Sequence, residues 1–277
     1  MRFSLRLAVV ALIAVAASAP VHARQTPAPA PVVLTPEQME TFLLNAKIIK
    51  MRPAPEGVTG TRRATLSDGA LTHDAQVQVV DQSRALFEAG RYSEVNFKDT
   101  YRYNIAAYRL ARLLELDNVP MSVERQVEGR PAAVTWWIDD VVMDEGDRVK
   151  KKANDPDGQR RVAYLYRYRA FDELIQNRDR NLGNLLYTSD WKMWMIDHTR
   201  AFRQGRNLLK PDQLTRIERS FFENLKKLTP ASVAEAVGTS LIKQEIDALI
   251  ARRDVMVKLL EEKIAQRGEA VVLFTFP

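Results

Sequence analysis

The chain has 277 residues, 46% of them hydrophobic, with 41 Lys and Arg against 35 Asp and Glu, a formal net charge of +6, and no cysteine. That composition excludes a disulfide framework, a thiol nucleophile and a lipid-bearing cysteine, while three histidines with no pair at ligand spacing leave zinc chemistry without ligands. The charge is too mild for a polyanion binder, so nucleic acid is not an expected partner, and the apolar fraction is high enough for a packed core.

Residues 1–23 read as an export signal: Arg2 and Arg6 precede an apolar run, Leu7 to Ala17, and Val21-His22-Ala23 fits a small-residue cleavage site. The apolar run is too short for a permanent membrane span, so no transmembrane anchor is expected after removal of the signal. The expected location is periplasmic or secreted, and the charge falls to +4 without Arg2 and Arg6. Residues 24–34 are rich in Pro and Ala and read as an extended tether. About 245 residues then remain, enough for one large domain or two lobes around a cleft.

Thr35-Pro36-Glu37 is a helix start leading into Met39, Phe42, Leu43 and Ala46. Gly57 and Gly60 mark a loop that either covers phosphates or is plain surface. A strand at Arg63 to Leu66 and a turn at Ser67-Asp68-Gly69 lead into Leu71 to Asp81, whose alternation predicts a hairpin. Ile105, Tyr108, Leu110, Leu113 and Leu114 space a helix from about Thr100 to Leu116. Met121 to Val127 and Ala132 to Ile138 flank a turn at Glu128-Gly129-Arg130, and adjacent Trp136 and Trp137 fit opposite faces of that second strand. Asp139 to Met143 reads as a linker, and the basic run Arg148 to Lys152 as a solvated loop with no site role. A helix over Ala163 to Gln176 precedes a polar loop, then strands Leu185 to Tyr187 and Lys192 to Ile196 about a turn at Thr188 to Asp190. Helical spacing returns over Pro211 to Leu228, Pro230 to Val237 and Leu241 to Lys263, and Val271 to Phe276 is β-prone. No internal repeat is present.

The polar loop concentrates the chemistry. Asp179 stands five positions before Asn184, and Asp197 follows thirteen positions later at the end of an apolar run. Phosphoryl transfer needs a carboxylate to take the acceptor hydroxyl's proton and hard oxygen ligands to hold a metal on nucleotide phosphates, and this spacing supplies both. Asn, Asp, Arg and Gly clusters are also ordinary turn material. What sets this one apart is its order, with helix, polar loop, hairpin and aspartate in succession. Gly183 is expected to ease the turn.

Asp179-Arg180-Asn181-Leu182-Gly183-Asn184 with Ile196-Asp197 resembles the D-R-H-x-x-N and I-D pattern of phosphoinositide kinases, HipA-type kinases and secretory-pathway kinases. Tyr103 to Pro120 and Trp191 to Phe202 resemble exported bacterial proteins with such a kinase-like core. The resemblance implies an α+β, two-lobed fold, with a small β-rich N-lobe and leading helix over 35–140 and a mainly helical C-lobe over 141–277. It implies Asp179 as base, Asn184 and Asp197 as ligands of Mg²⁺ or Mn²⁺, ATP or another nucleotide near the linker, and an unidentified hydroxyl acceptor. Gln78 stands where a phosphate-binding lysine is expected and Asn104 where its glutamate partner is, so Gln78, with Lys98 as a substitute cation, is the expected nucleotide contact. Asn181 replaces the histidine of the pattern, and His198-Thr199 follow Asp197 where a glycine is usual. His198 is placed to donate a hydrogen bond or to serve structurally. The alternative implied by Gln78 and Asn104 is a silent scaffold that binds a ligand or a protein partner.

Overall fold

Thr35 caps the first helix as its place before Pro36 demands. Its hydroxyl accepts from the Gln38 backbone while the Gln38 side chain accepts from the Thr35 amide, and helix α1 (Pro36–Asn45) follows with Phe42 and Leu43 buried. The computed structural model describes residues 34–54, 60–90 and 92–277, of which 34–277 form one unit. The expected signal over 1–23, the tether up to residue 33 and Gly57 lie outside the described residues.

Strands β1 (Lys47–Pro53), β2 (Arg62–Ser67) and β3 (Thr72–Gln78) pair antiparallel, and after the hairpin β4 (Asp81–Ala89) and β5 (Tyr92–Thr100) comes helix α2 (Arg102–Leu113). Strands β6 (Ser122–Val127) and β7 (Arg130–Trp136) complete a five-stranded sheet of order β1-β2-β3-β7-β6. Because side chains alternate across a strand, the register assigns each residue to a face. Ala64, Leu66, Ala75, Val77, Val123 and Val134 share the buried face under α1, where Arg125 also donates to the carbonyls of Leu43 and Ala46. The opposite face is polar: Arg52 opposes Arg63, Arg63 opposes Gln76, and Gln76 opposes Thr135. Helix α2 covers that face beside β7, where Tyr101 and Ile105 pack on Ala133. Trp136 stacks on His73 at 3.8 Å between ring centres, while the Arg63 guanidinium lies 4.2 Å from the Trp137 ring, so the two tryptophans do serve opposite faces.

After β8 (Val141–Asp144) the chain turns helical, with α3 (Glu145–Lys151) and the long α4 (Gly158–Ile175). The basic run expected as loop therefore lies mostly in α3, where Arg148 donates to Glu145 through two nitrogens at 2.6 and 2.8 Å. Strands β9 (Leu185–Thr188) and β10 (Met193–Met195) join β8 in a three-stranded sheet. The predicted helix from Pro211 breaks up: a 3-10 turn at Pro211–Gln213, strand β11 (Ile217–Glu218), and only then α5 (Arg219–Lys227). Helix α6 (Pro230–Val237), α7 (Lys243–Arg267), a short α8 (Glu269–Val272) and β12 (Leu273–Phe274), parallel to β11, finish the chain.

In α7, Ile246, Leu249, Met256 and Leu260 repeat at helical spacing and are buried. Fully buried Arg252 donates to the carbonyls of Leu174 and Arg203, each at 2.8 Å, and to that of Gly205. The Glu245 carboxylate, 1% exposed, receives the Lys98 ammonium at 2.7 Å and the Tyr103 hydroxyl at 2.6 Å, tying α7 to the hairpin and α2. No helix among the described residues is long and apolar enough to cross a membrane.

Candidate active site

Arg180 organises the loop that carries the three acid and amide residues. Its Nε and Nη2 donate to the two oxygens of Asp172 on α4, at 2.8 and 3.0 Å. Nη1 donates to the carbonyls of Asn184 at 2.9 Å and Ile196 at 2.7 Å, and Nη2 also meets His198 Nε2 at 3.0 Å. All five N–H donors of a guanidinium are thereby used. A single side chain thus joins α4, the polar loop and the end of β10. The Asp172–Arg180 side chains are 12% and 8% exposed, so the pair is held in a largely water-free setting.

Within the loop, Asn177 Nδ2 donates to Asp172 and Asn177 Oδ1 accepts the Asp179 amide at 3.1 Å. Asn184 Nδ2 donates to the Asp179 carbonyl at 3.1 Å, an arrangement that anchors the amide nitrogen and leaves the amide oxygen as the available donor atom. Asp197 sits at a left-handed φ of 53°, and the chain is pinned on both sides of it: the Ile196 amide donates to the Asn184 carbonyl at 3.1 Å, and the His198 amide to Asn104 Oδ1 at 2.8 Å. The Asp197 carboxylate accepts from the Thr199 hydroxyl at 3.1 Å. Gly183 has no left-handed φ; its amide donates to Asn181 Oδ1 at 2.9 Å, and a Cβ there would stand 3.2 Å from that same oxygen.

Asp179 itself is only half sheltered, with its side chain 41% exposed. Burial raises its carboxyl above the usual aspartate value, Arg200 opposes that rise, and the charges of Asp197 and Asp99 add to it. Arg200 Nη1 lies 3.6 Å from Asp179 Oδ2, and its Nε donates to Asp99 Oδ2 at 3.3 Å. Arg200 and Asp99 are absent from the motif reading because a loop arginine and a strand aspartate at a separation of 101 residues leave no local pattern. Asp172 escaped it too, because the spacing shows what lies along the loop, Arg180 included, and not which residue of α4 holds the loop in place.

Gln78 and Lys98, the expected nucleotide contacts, are each engaged by other side chains of the protein. Gln78 is 2% exposed, its Oε1 accepting from Asn104 and its Nε2 donating to Thr61 at 3.3 Å, so both ends of the amide are used. Gln78 and Asn104 do face one another as an expected Lys–Glu pair would, but as neutral amides. Lys98 is held by Glu245, and withdrawing it would leave that buried carboxylate without its cation. His198 is fully buried and does not act as a ring donor toward the loop: Nε2 accepts from Arg180, and burial holds its pKa well below the ordinary value, leaving a neutral ring.

A narrow cavity lined by Gln76, Asn104, Thr135, Ile196, Asp197 and His198 lies between the polar sheet face and the loop. A wider groove of about 400 Å³, lined by Met39, Met121, Trp136, Asp139, Asp190 and Trp194, is on the α1 side of β7 and contains neither Asp179 nor Asp197. Its aromatic faces are already taken, by His73 on Trp136 and by the Lys192 ammonium 4.4 Å from Trp194. Of the two, only the narrow cavity is lined by one of the expected site residues, Asp197. For a divalent ion the protein offers one amide oxygen and one carboxylate, and among the described residues no group of three or more His, Cys, Asp or Glu is arranged to hold a metal. Two hard oxygen donors suit Mg²⁺ or Mn²⁺ only when phosphate and water oxygens complete the shell.

The fold is kinase-like. A structure of hydra Fam20 with sugar superposes with a TM-score of 0.64 at 14% identity, over 86% of this chain and 92% of that one. The Golgi casein kinase with Mn/ADP bound gives 0.59 at 15% identity, over 86% and 78%, and the Helicobacter pylori proinflammatory kinase CtkA gives 0.50 at 10% identity, over 83% and 99%. Neither a family model nor a curated protein sequence matches the chain.

Proposed function

We propose that the chain is an exported phosphotransferase that moves phosphate from a nucleotide, with Mg²⁺ or Mn²⁺, to a hydroxyl acceptor. The observation that carries this reading is the convergence of Asp179, Asn184 and Asp197 on one scaffold built around Arg180. Asp179 accepts the acceptor's proton, and the Asn184 and Asp197 oxygens would hold the ion, which would supply charge neutralisation on the phosphates. Kinase-like neighbours, one of them with Mn/ADP bound, support the reaction class, and the Golgi origin of that neighbour supports export. The lobes divide near residue 140, with the nucleotide between them.

A second reading, a scaffold without turnover, is favoured by one observation: the neutral Gln78–Asn104 pair leaves no cation at the phosphate position. Thermal denaturation of residues 24–277 with ATP, GTP or ADP and either metal separates the two, since a ligand bound only by the folded state raises the midpoint. Nucleotide plus metal is expected to raise it, metal alone is not, and Asp197→Ala is expected to lose the effect. No shift at millimolar nucleotide would favour the scaffold.

A further inference from the structure

We infer that Arg200 is the cation that contacts the transferred phosphate, taking over in the C-lobe the charge that the Gln78–Asn104 amide pair does not carry. The inference rests on the phosphotransferase reading above and deepens it by naming a residue outside the motif.

The argument starts from a deficit. In phosphoryl transfer the protein contributes positioning and positive charge, and a buried pair of amides contributes no charge at all. Candidate replacements are eliminated by their contacts. Every donor of Arg180 is used by Asp172, His198 and two carbonyls. Lys98 serves Glu245, buried Arg252 serves three carbonyls, and Arg203 is paired with Glu94 at 2.9 Å. Arg63 is bonded to Asp74 and stacked on Trp137 at the linker end of the sheet.

Arg200 alone among these both reaches the base and meets solvent. Its nitrogen stands 3.6 Å from Asp179 Oδ2, a separation looser than a hydrogen bond, while the side chain is 34% exposed. It is aimed rather than floating: Asp99, 4% exposed, holds Nε, and the guanidinium lies 5.2 Å from the Phe97 ring. Asp99 and Phe97 are on β5 and Asp179 is on the loop, so the fork is fixed from one side and open on the other. It stands three positions after Asp197. In the transfer step the acceptor oxygen forms its bond to the terminal phosphorus as the bond to the leaving nucleoside diphosphate breaks, and the acceptor proton passes to Asp179. Arg200 gives and takes no proton in that step; its planar donors bond two equatorial phosphate oxygens, geometry that an ammonium does not reproduce.

The test compares ATP with AMP, both with Mg²⁺, by calorimetric titration of the full mature chain. Arg200→Gln is expected to lower the ATP-over-AMP affinity ratio by about tenfold or more, the worth of a charge-assisted hydrogen bond, with AMP binding retained as the sign that the variant is folded. Arg200→Lys is expected to fall between the two. An unchanged ratio in Arg200→Gln, or a fall produced instead by Arg178→Gln on the exposed part of the loop, would overturn the assignment while leaving the phosphotransferase reading in place. Absence of ATP binding by the unaltered protein would remove both. Should Arg200→Gln bind neither nucleotide, Arg200→Lys carries the test, and a wild-type ratio in it counts against a bidentate role.

Discussion

Asp179→Asn is expected to reduce phosphate transfer by about 10² to 10⁴-fold, the usual contribution of a positioned general base. Nucleotide affinity in the same variant is expected to stay close to wild type. The substitution keeps the shape of the side chain and its amide bond to Asn177, and the Asn184 contact is to the Asp179 carbonyl, so neither loop geometry nor ligand oxygens should move. The ability to take a proton is lost, together with the negative charge that faces Arg200. Because burial raises the Asp179 carboxyl above the ordinary aspartate value, the wild-type rate should fall with falling pH through a pKa higher than that value, as the base becomes protonated. Steady-state kinetics with ATP and a candidate acceptor, beside titration with ADP and Mg²⁺, checks both halves. A rate equal to wild type in Asp179→Asn would remove this residue from the role of base.

Arg180→Ala is expected to cost about 3 to 5 kcal/mol, because it leaves the Asp172 carboxylate without its partner in a setting only 12% exposed. Urea unfolding followed by circular dichroism measures it. The loss would not be confined to stability. The same guanidinium bonds the Asn184 and Ile196 carbonyls, which flank the two expected metal ligands, so metal-dependent nucleotide binding should disappear with it. Pairing Arg180→Met with Asp172→Leu separates the effects. The double variant should recover much of the stability, since a buried ion pair replaced by apolar groups of similar size is often neutral, yet it should not recover binding. Recovery of both would mean that Arg180 only fills space.

Much of this architecture is legible from the residues. Leu110, Leu114 and their neighbours spell out α2 by spacing, and Thr35-Pro36 marks the start of α1 by cap chemistry alone. The linear order of Asp179, Asn184 and Asp197 places the loop and hairpin correctly because those elements are local. Strand β1 is different. Five of its seven side chains are exposed or charged-edge positions, and a bulge at Ile48/Lys50 breaks its alternation, so its pairing with β2 leaves no period in the letters. The β4–β5 hairpin was equally silent, since it pairs mainly with itself and leaves Leu86 and Val95 exposed. In the stretch after Pro211 the helical spacing of apolar residues is real, but Ile217 and Glu218 pair with Leu273 and Phe274 more than fifty residues later, and the tertiary strand overrides the local signal. Arg200 and Asp99, and Lys98 and Glu245, are meetings between distant positions, which periodicity has no means of reporting.

The burial of Arg252 makes the last long helix a partner in the chemistry at a distance. Burial pulls its pKa down to about 10, and its guanidinium satisfies carbonyls at the end of α4, just before the Asp179 loop, and at Arg203 and Gly205, just after Arg200. Leu174 and Arg203 are buried residues, so α7 cannot lift away without stripping partners from the segments on both sides of the site. In amide hydrogen exchange the end of α4, the stretch around residue 204 and the middle of α7 should therefore open together with one common free energy, as a single cooperative unit. Proteolytic trimming or a disruptive fusion at the C-terminus would then be felt first at the loop bearing Asp179, far from the cut along the chain.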